Sequence, residues 1–157
     1  MTMTIPKTCR ATVIAEYNKP YEIQEFNIPT IKPKAILVKI QMAGVCGTDV
    51  HQLAGELGLK PKLPIIPGHE SIGEIVKMGE GRTQDCAGTK LSIGDRIMWS
   101  HVSCGECRPC TVDNQPNLCV SRFSYGMSYS GVYPYLSGGF AEYAYIIPNA
   151  DVVKVPE

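Results

Sequence analysis

Four cysteines within sixteen residues, Cys104, Cys107, Cys110 and Cys119, constrain this chain more than any other feature. Thiolates at such spacing close a tetrahedral shell around Zn²⁺, and the two-residue gaps let a loop fold back on the ion. Gly105, Pro109 and Pro116 supply the turns. Four sulfur ligands leave no open position, so this zinc is expected to be structural, its binding energy going into the folding of the 104–119 lobe. Unligated or disulfide-bonded cysteines, an iron–sulfur cluster and a nucleic-acid-binding zinc ribbon are the alternatives, the last normally carrying a basic face that this segment lacks. The seven cysteines are an odd number, and their crowding suits thiolate–metal chemistry in a reducing compartment; Cys9 and Cys86 stand apart and read as free thiols.

The rest of the composition narrows the partners. Fifteen basic residues balance fifteen acidic ones, so no net field draws the chain to nucleic acid or to an anionic membrane. A small or neutral molecule is the expected partner. The first ten residues contain no apolar stretch of signal-peptide length, and no later segment approaches the ~20 apolar residues that cross a bilayer. A cytoplasmic protein is expected, and its 157 residues are read as one domain, 1–157.

The pattern along the chain is one of short strands punctuated by glycine and proline. Strands are expected at Cys9–Tyr17 and Tyr21–Ile28, joined at Asn18-Lys19-Pro20, and at Ala35–Met42, Ser71–Met78, Arg96–Trp99 and Gly139–Ile147. Short helices are expected at Thr48–Ala54 and within Cys107–Asn114, and Thr83–Ser92 reads as a mobile surface loop. This favours a mainly β fold, a barrel or a sandwich, over a doubly wound α/β sheet. Gly79-x-Gly81 lacks the third glycine and the helix of a dinucleotide fingerprint.

A second constellation lies upstream: Gly44-Val45-Cys46-Gly47-Thr48-Asp49-Val50-His51, then Gly68-His69-Glu70. A thiolate and an imidazole suit zinc with a position left for water or substrate. Taken singly, a cysteine such as Cys46 is more often a core residue, His51 more often a helix-surface side chain and Glu70 usually a solvated charge. Glycines beside the cysteine and before the histidine, each at a strand end, strengthen the joint reading.

These two motifs, with Pro67-Gly68-His69-Glu70, Gly94-Asp95-Arg96, the four-cysteine loop and Gly139-Phe140-Ala141-Glu142-Tyr143 in this order, resemble the medium-chain, zinc-dependent alcohol dehydrogenases. The resemblance implies a GroES-like, partly open β-barrel with short helices and a zinc-binding lobe. It implies that Cys46 and His69 are catalytic zinc ligands, with Glu70 a ligand or exchangeable neighbour. Asp49 would accept a hydrogen bond from His69 and fix its tautomer, and Thr48 and His51 would form a proton relay. Thr48 also fits a helix N-cap, with His51 three residues on. The implied reaction is oxidation of an alcohol or polyol by hydride transfer to NAD or NADP, in a homodimer or homotetramer when full-length.

The family continues into a Rossmann domain and a return segment, so a shortened, proteolysed or separately encoded piece is expected, inactive alone and with one zinc ligand missing. The spacing from Cys110 to Cys119 is one residue longer than is common in the family, and the stretch Asp85–Lys90 lengthens the loop before Gly94. Leu57, Trp99 and Phe123 are candidates to line the substrate pocket, each also explained as core.

Overall fold

The computed structural model describes residues 4–58 and 60–156. Among the described residues seven strands, β1 (Thr8–Val13), β2 (Glu22–Asn27), β3 (Ile36–Ala43), β4 (Ser71–Met78), β5 (Arg96–Trp99), β6 (Tyr143–Ile146) and β7 (Val152–Lys154), account for most of the regular structure. Two short helices, α1 (Gly47–Ala54) and α2 (Arg108–Thr111), and a 3-10 turn at Pro116–Leu118 complete it. β1 and β2 form an antiparallel hairpin, and the other strands form one antiparallel sheet in the order β6-β3-β4-β5-β7. The sheet does not close on itself, which agrees with the expected mainly β, partly open barrel.

Three neighbouring strands, β6, β3 and β4, explain where the core lies. Successive side chains of a strand point to opposite faces. Ile36 and Val38 of β3, Ile75 of β4 and Ile146 of β6 enter one apolar cluster, while Leu37, Val76 and Tyr145 enter a second on the other face. The continuous apolar run Ala35–Val38 is therefore buried on both sides, whereas the strand from Lys39 onward is exposed or half-buried. Each fully buried Ile, Leu or Val contributes about 1.5–3 kcal/mol over exposure.

The expected strands at Ser71–Met78 and Arg96–Trp99 form with those bounds. The strand expected over Gly139–Ile147 is confined to β6, because Gly138 and Gly139 run against Ile66–Gly68 instead of joining the sheet. β7 has no counterpart in the sequence reading; three residues are too few to show a period. Among the described residues no helix is long and apolar enough to cross a membrane.

The Thr83–Ser92 segment, expected to be a loose loop, is tied down. Leu91 is buried, Cys86 N donates to Val152 O at 3.0 Å, and the Asp85 carboxylate accepts N–H groups from Ala87, Thr89 and, on β7, Lys154 at 2.7–3.0 Å. These donors, Lys154 N–H first, hold the Asp85 carboxyl below its ordinary value of 3.8. A folded value below the unfolded one contributes stability that is present above the unfolded value and lost as pH falls through the folded one. Asp85→Asn is therefore expected to lower the urea midpoint at pH 7, the gap to wild type shrinking as pH drops below ~4, where the unfolded chain's carboxyl takes up its proton before the native one does. A gap that stays constant to pH 3 would show that Asp85 stabilises the loop by packing alone.

Candidate metal centres

The β3–β4 pair builds the upstream site. Its register sets Ala43 opposite Ser71, and Gly44 N continues the pairing by donating to Glu70 O at 2.7 Å. The loop leaving β3 and the loop entering β4 thus meet at one end of the sheet, and Cys46 and His69 come together across 23 residues with Cys46 Sγ 3.4 Å from His69 Nε2. The donor atoms of Cys46, His69 and Glu70 all lie within 4.8 Å of one another. Gly68 is obligatory in this turn: its φ is +86°, and a Cβ there would lie 2.5 Å from Phe140 Cδ1.

Helix α1 opens on Cys46, not on Thr48. Cys46 is extended, Gly47 is the first helical residue, and the Asp49 carboxylate accepts the Cys46 N–H at 2.9 Å, reaching back to the cap from the third helical position. The N-cap expectation for Thr48 fails because the helix starts one residue earlier. His51 is exposed and pairs with Glu56 at 3.0 Å; no hydrogen bond joins it to Thr48 among the described residues.

Asp49 is 1% exposed. Its two oxygens take the backbone N–H of Cys46 and, at 3.3 Å, that of Gly68, so one carboxylate clamps both ligand-bearing loops. The expected hydrogen bond from His69 is not formed, because Asp49 Oδ1 stands 3.8 Å from Nδ1, beyond hydrogen-bond reach, and is already engaged by Gly68. His69 Nδ1 is buried with no hydrogen-bond partner among the described residues. An imidazole whose Nδ1 faces a carboxylate while Nε2 faces a thiol presents the Nε2 lone pair to a cation, so the residues fit a zinc ion.

The four-cysteine lobe fits a second one. Cys107 Sγ lies 3.4 Å from Cys110 Sγ and 3.9 Å from Cys119 Sγ, and all four sulfurs fall within 4.8 Å of one another. Zn–S bonds of ~2.3 Å at tetrahedral angles require sulfurs just under ~4 Å apart. Backbone N–H groups point at the sulfurs: Cys104 N at Cys119 Sγ (3.2 Å), Cys107 N at Cys104 Sγ (3.4 Å). The Val120 N–H, more than any other group, brings the Cys107 thiol down to about 6, whereas burial and the adjacent Cys107 sulfur push Cys110 up to about 12. A cation between the sulfurs removes that opposition. The longer spacing between Cys110 and Cys119 does not carry Cys119, which follows the 3-10 turn directly, out of the cluster.

Trp99 and Phe123, both half-buried, pack edge-on to Tyr125, at 6.1 and 5.1 Å between ring centres, against the edge of one core cluster; Leu57 is half-buried beyond α1. Cys9 is buried in β1, its thiol pushed up to about 11 mainly by burial, and Cys86 is exposed. The sequence reading missed His101. β5 pairs antiparallel with β4 through Ile72↔Met98, and continuing that register sets His101 opposite His69, with ring centres 6.2 Å apart. The signal was present in the hairpin register, which only a paired β4 and β5 reveal. Burial, then Arg122 and His69, lower the His101 pKa.

An open β-barrel with one closed four-sulfur cluster and one open thiol–imidazole–carboxylate cluster defines a GroES-like domain of the zinc-binding kind. A family model described as "Alcohol dehydrogenase GroES-like domain" matches residues 32–157, and the chain belongs to that family. An alcohol dehydrogenase from Geobacillus stearothermophilus is 38% identical over 150 residues, 94% of this chain and 40% of the relative. The crystal structure of an alcohol dehydrogenase from Thermotoga maritima, 39% identical, superposes with a TM-score of 0.88 over 96% of this chain and 41% of that one. A zinc-binding dehydrogenase from Sinorhizobium meliloti 1021 bound to NADP, 28% identical, gives 0.77 over 96% of this chain and 39% of its own. The chain thus spans about 40% of the length of the curated relatives it matches.

Proposed function

We propose that residues 1–157 form one zinc-binding catalytic domain of an alcohol dehydrogenase that oxidises an alcohol or polyol to a carbonyl, or the reverse, by hydride transfer to NAD or NADP. The observation that carries this reading is the convergence of Cys46, His69 and Glu70 at the end of the β3–β4 pair, separate from the cysteine lobe. Cys46 and His69 hold the catalytic zinc, with Glu70 as an exchangeable neighbour, and Cys104, Cys107, Cys110 and Cys119 hold the structural one. The catalytic ion supplies a Lewis acid that lowers the pKa of an alcohol or polarises a carbonyl.

The chain's own residues do the rest. Asp49 holds the two ligand loops in place through their backbone N–H groups. Thr48 and His51 carry the proton outward, and the exposure of His51 suits a group that exchanges protons with solvent. NAD or NADP is held outside these residues; the longer protein is a cytoplasmic homodimer or homotetramer acting on a small molecule, with neither nucleic acid nor membrane as partner.

Zinc content per chain, by elemental analysis of wild type and Cys46→Ser, tests the reading. Close to two zincs falling to one is the expected result. A single zinc unaffected by the substitution would favour a non-enzymatic module stabilised by its cysteine lobe.

A further inference from the structure

We propose that Gln52 is a positioning residue for the open metal site, holding the His69 imidazole in its ligating orientation by way of the turn at Gly126. The proposal rests on the reading of Cys46, His69 and Glu70 as the catalytic metal site. Three observations carry it.

The first is the burial of an amide. Gln52 lies in α1, three residues after Asp49, so the two side chains share one face of the helix; Gln52 is 0% exposed. An amide taken out of water costs free energy unless it is hydrogen-bonded, and a position that needed only to be filled would carry Leu or Met without that cost. The one hydrogen bond of this side chain among the described residues runs from Nε2 to Gly126 O, at 2.8 Å and across 74 residues.

The second observation is what that turn touches. Gly126 has a φ of +75°, and a Cβ on it would lie 2.8 Å from Gly68 O and 3.0 Å from Gly68 C. Both atoms belong to the peptide that joins Gly68 to His69, so the turn lies directly on that peptide. The third is that Asp49 accepts the Gly68 N–H at 3.3 Å. Helix α1 thus grips the residue before His69 twice, directly through Asp49 and, through Gln52, by way of Gly126. The plane of the Gly68–His69 peptide sets the direction in which the imidazole leaves the chain. Groups that orient a metal ligand from outside the coordination shell typically change metal affinity by about 10–100-fold.

The test uses the 157-residue chain loaded with Co²⁺ in place of Zn²⁺. The cobalt count is taken first, and visible absorption is then followed as a chelator withdraws the metal; Cys46→Ser identifies the bands of the open site. Gln52→Met keeps the length of the side chain and cannot donate. In it the open-site cobalt is expected to bind about tenfold more weakly with shifted absorption, while the four-sulfur cobalt is unchanged. Gly126→Ala, which pushes the turn off the peptide, should give the same pattern, and the double variant should lose little more than either alone, because both break one path. Unchanged affinity and absorption in Gln52→Met would overturn the role of Gln52 and leave the metal site standing. Equal weakening at both sites would overturn it as well, as a general loss of stability. One cobalt in wild type would overturn the open metal site, and this proposal with it.

Discussion

Cys107→Ser is expected to remove one zinc per chain and to unfold the 104–119 lobe while the barrel stays folded. The lobe has no core of its own: every residue from Ser103 to Ser121 is exposed or half-buried, and neither α2 nor the 3-10 turn buries a side chain. Helices of four and three residues are far below the length that is stable alone. What fixes this segment is the set of backbone N–H groups aimed at sulfur and the ion those sulfurs hold. Serine offers a hard, protonated oxygen, and the closed shell fails. Trypsin reads the change at the Arg122–Phe123 bond, three residues past Cys119; the bond after Arg108 leads into Pro109 and resists trypsin. Cleavage there is expected to accelerate by more than about tenfold, since proteolysis follows the population of the open form, while the barrel fragment resists. EDTA on wild type should reproduce the pattern. Unchanged cleavage after metal removal would show that packing holds the lobe.

Gly138→Ala is expected to be among the most destabilising single substitutions in the barrel. A Cβ at this position would lie 1.9 Å from Ile66 O and 2.5 Å from Pro67 O, both backbone atoms that cannot rotate away. The two chains are laced together here, Gly139 N donating to Gly68 O and Phe140 N to Pro67 O at 2.8 and 3.0 Å. Separating them costs about 3 kcal/mol, the upper end for overpacking, which for a domain this size lowers Tm by roughly 10 °C. The strain falls on Pro67-Gly68-His69, so occupancy of the open metal site should fall as well, with the cysteine lobe still filled. Gly47→Ala is the control. Nothing lies within 4 Å of its Cβ and it sits at the start of α1, so alanine there should be neutral or stabilise by up to ~1 kcal/mol. A Gly138→Ala protein that melts with wild type would mean that the strands part at little cost.

The chain's own letters determined which donor atoms both clusters offer. Soft donors at close spacing have few uses other than metal binding, so Cys104 through Cys119 were legible without any fold, and Cys46, His69 and Glu70 through their glycine-flanked loops. Strand positions were legible wherever apolar runs met turn residues, as at β4 and β5. Tertiary structure alone decided what depends on pairing across the sheet. Register brought Cys46 beside His69 and His101 opposite it, and β7 exists only because Asp85 and β5 satisfy its backbone. The start of α1 at Cys46 was set by a carboxylate reaching back from Asp49, and that carboxylate's partners were two backbone N–H groups and not the histidine ring. Local sequence fixes which donors are available; which of them meet is a long-range property, because antiparallel register and close backbone contacts join residues that the chain keeps far apart.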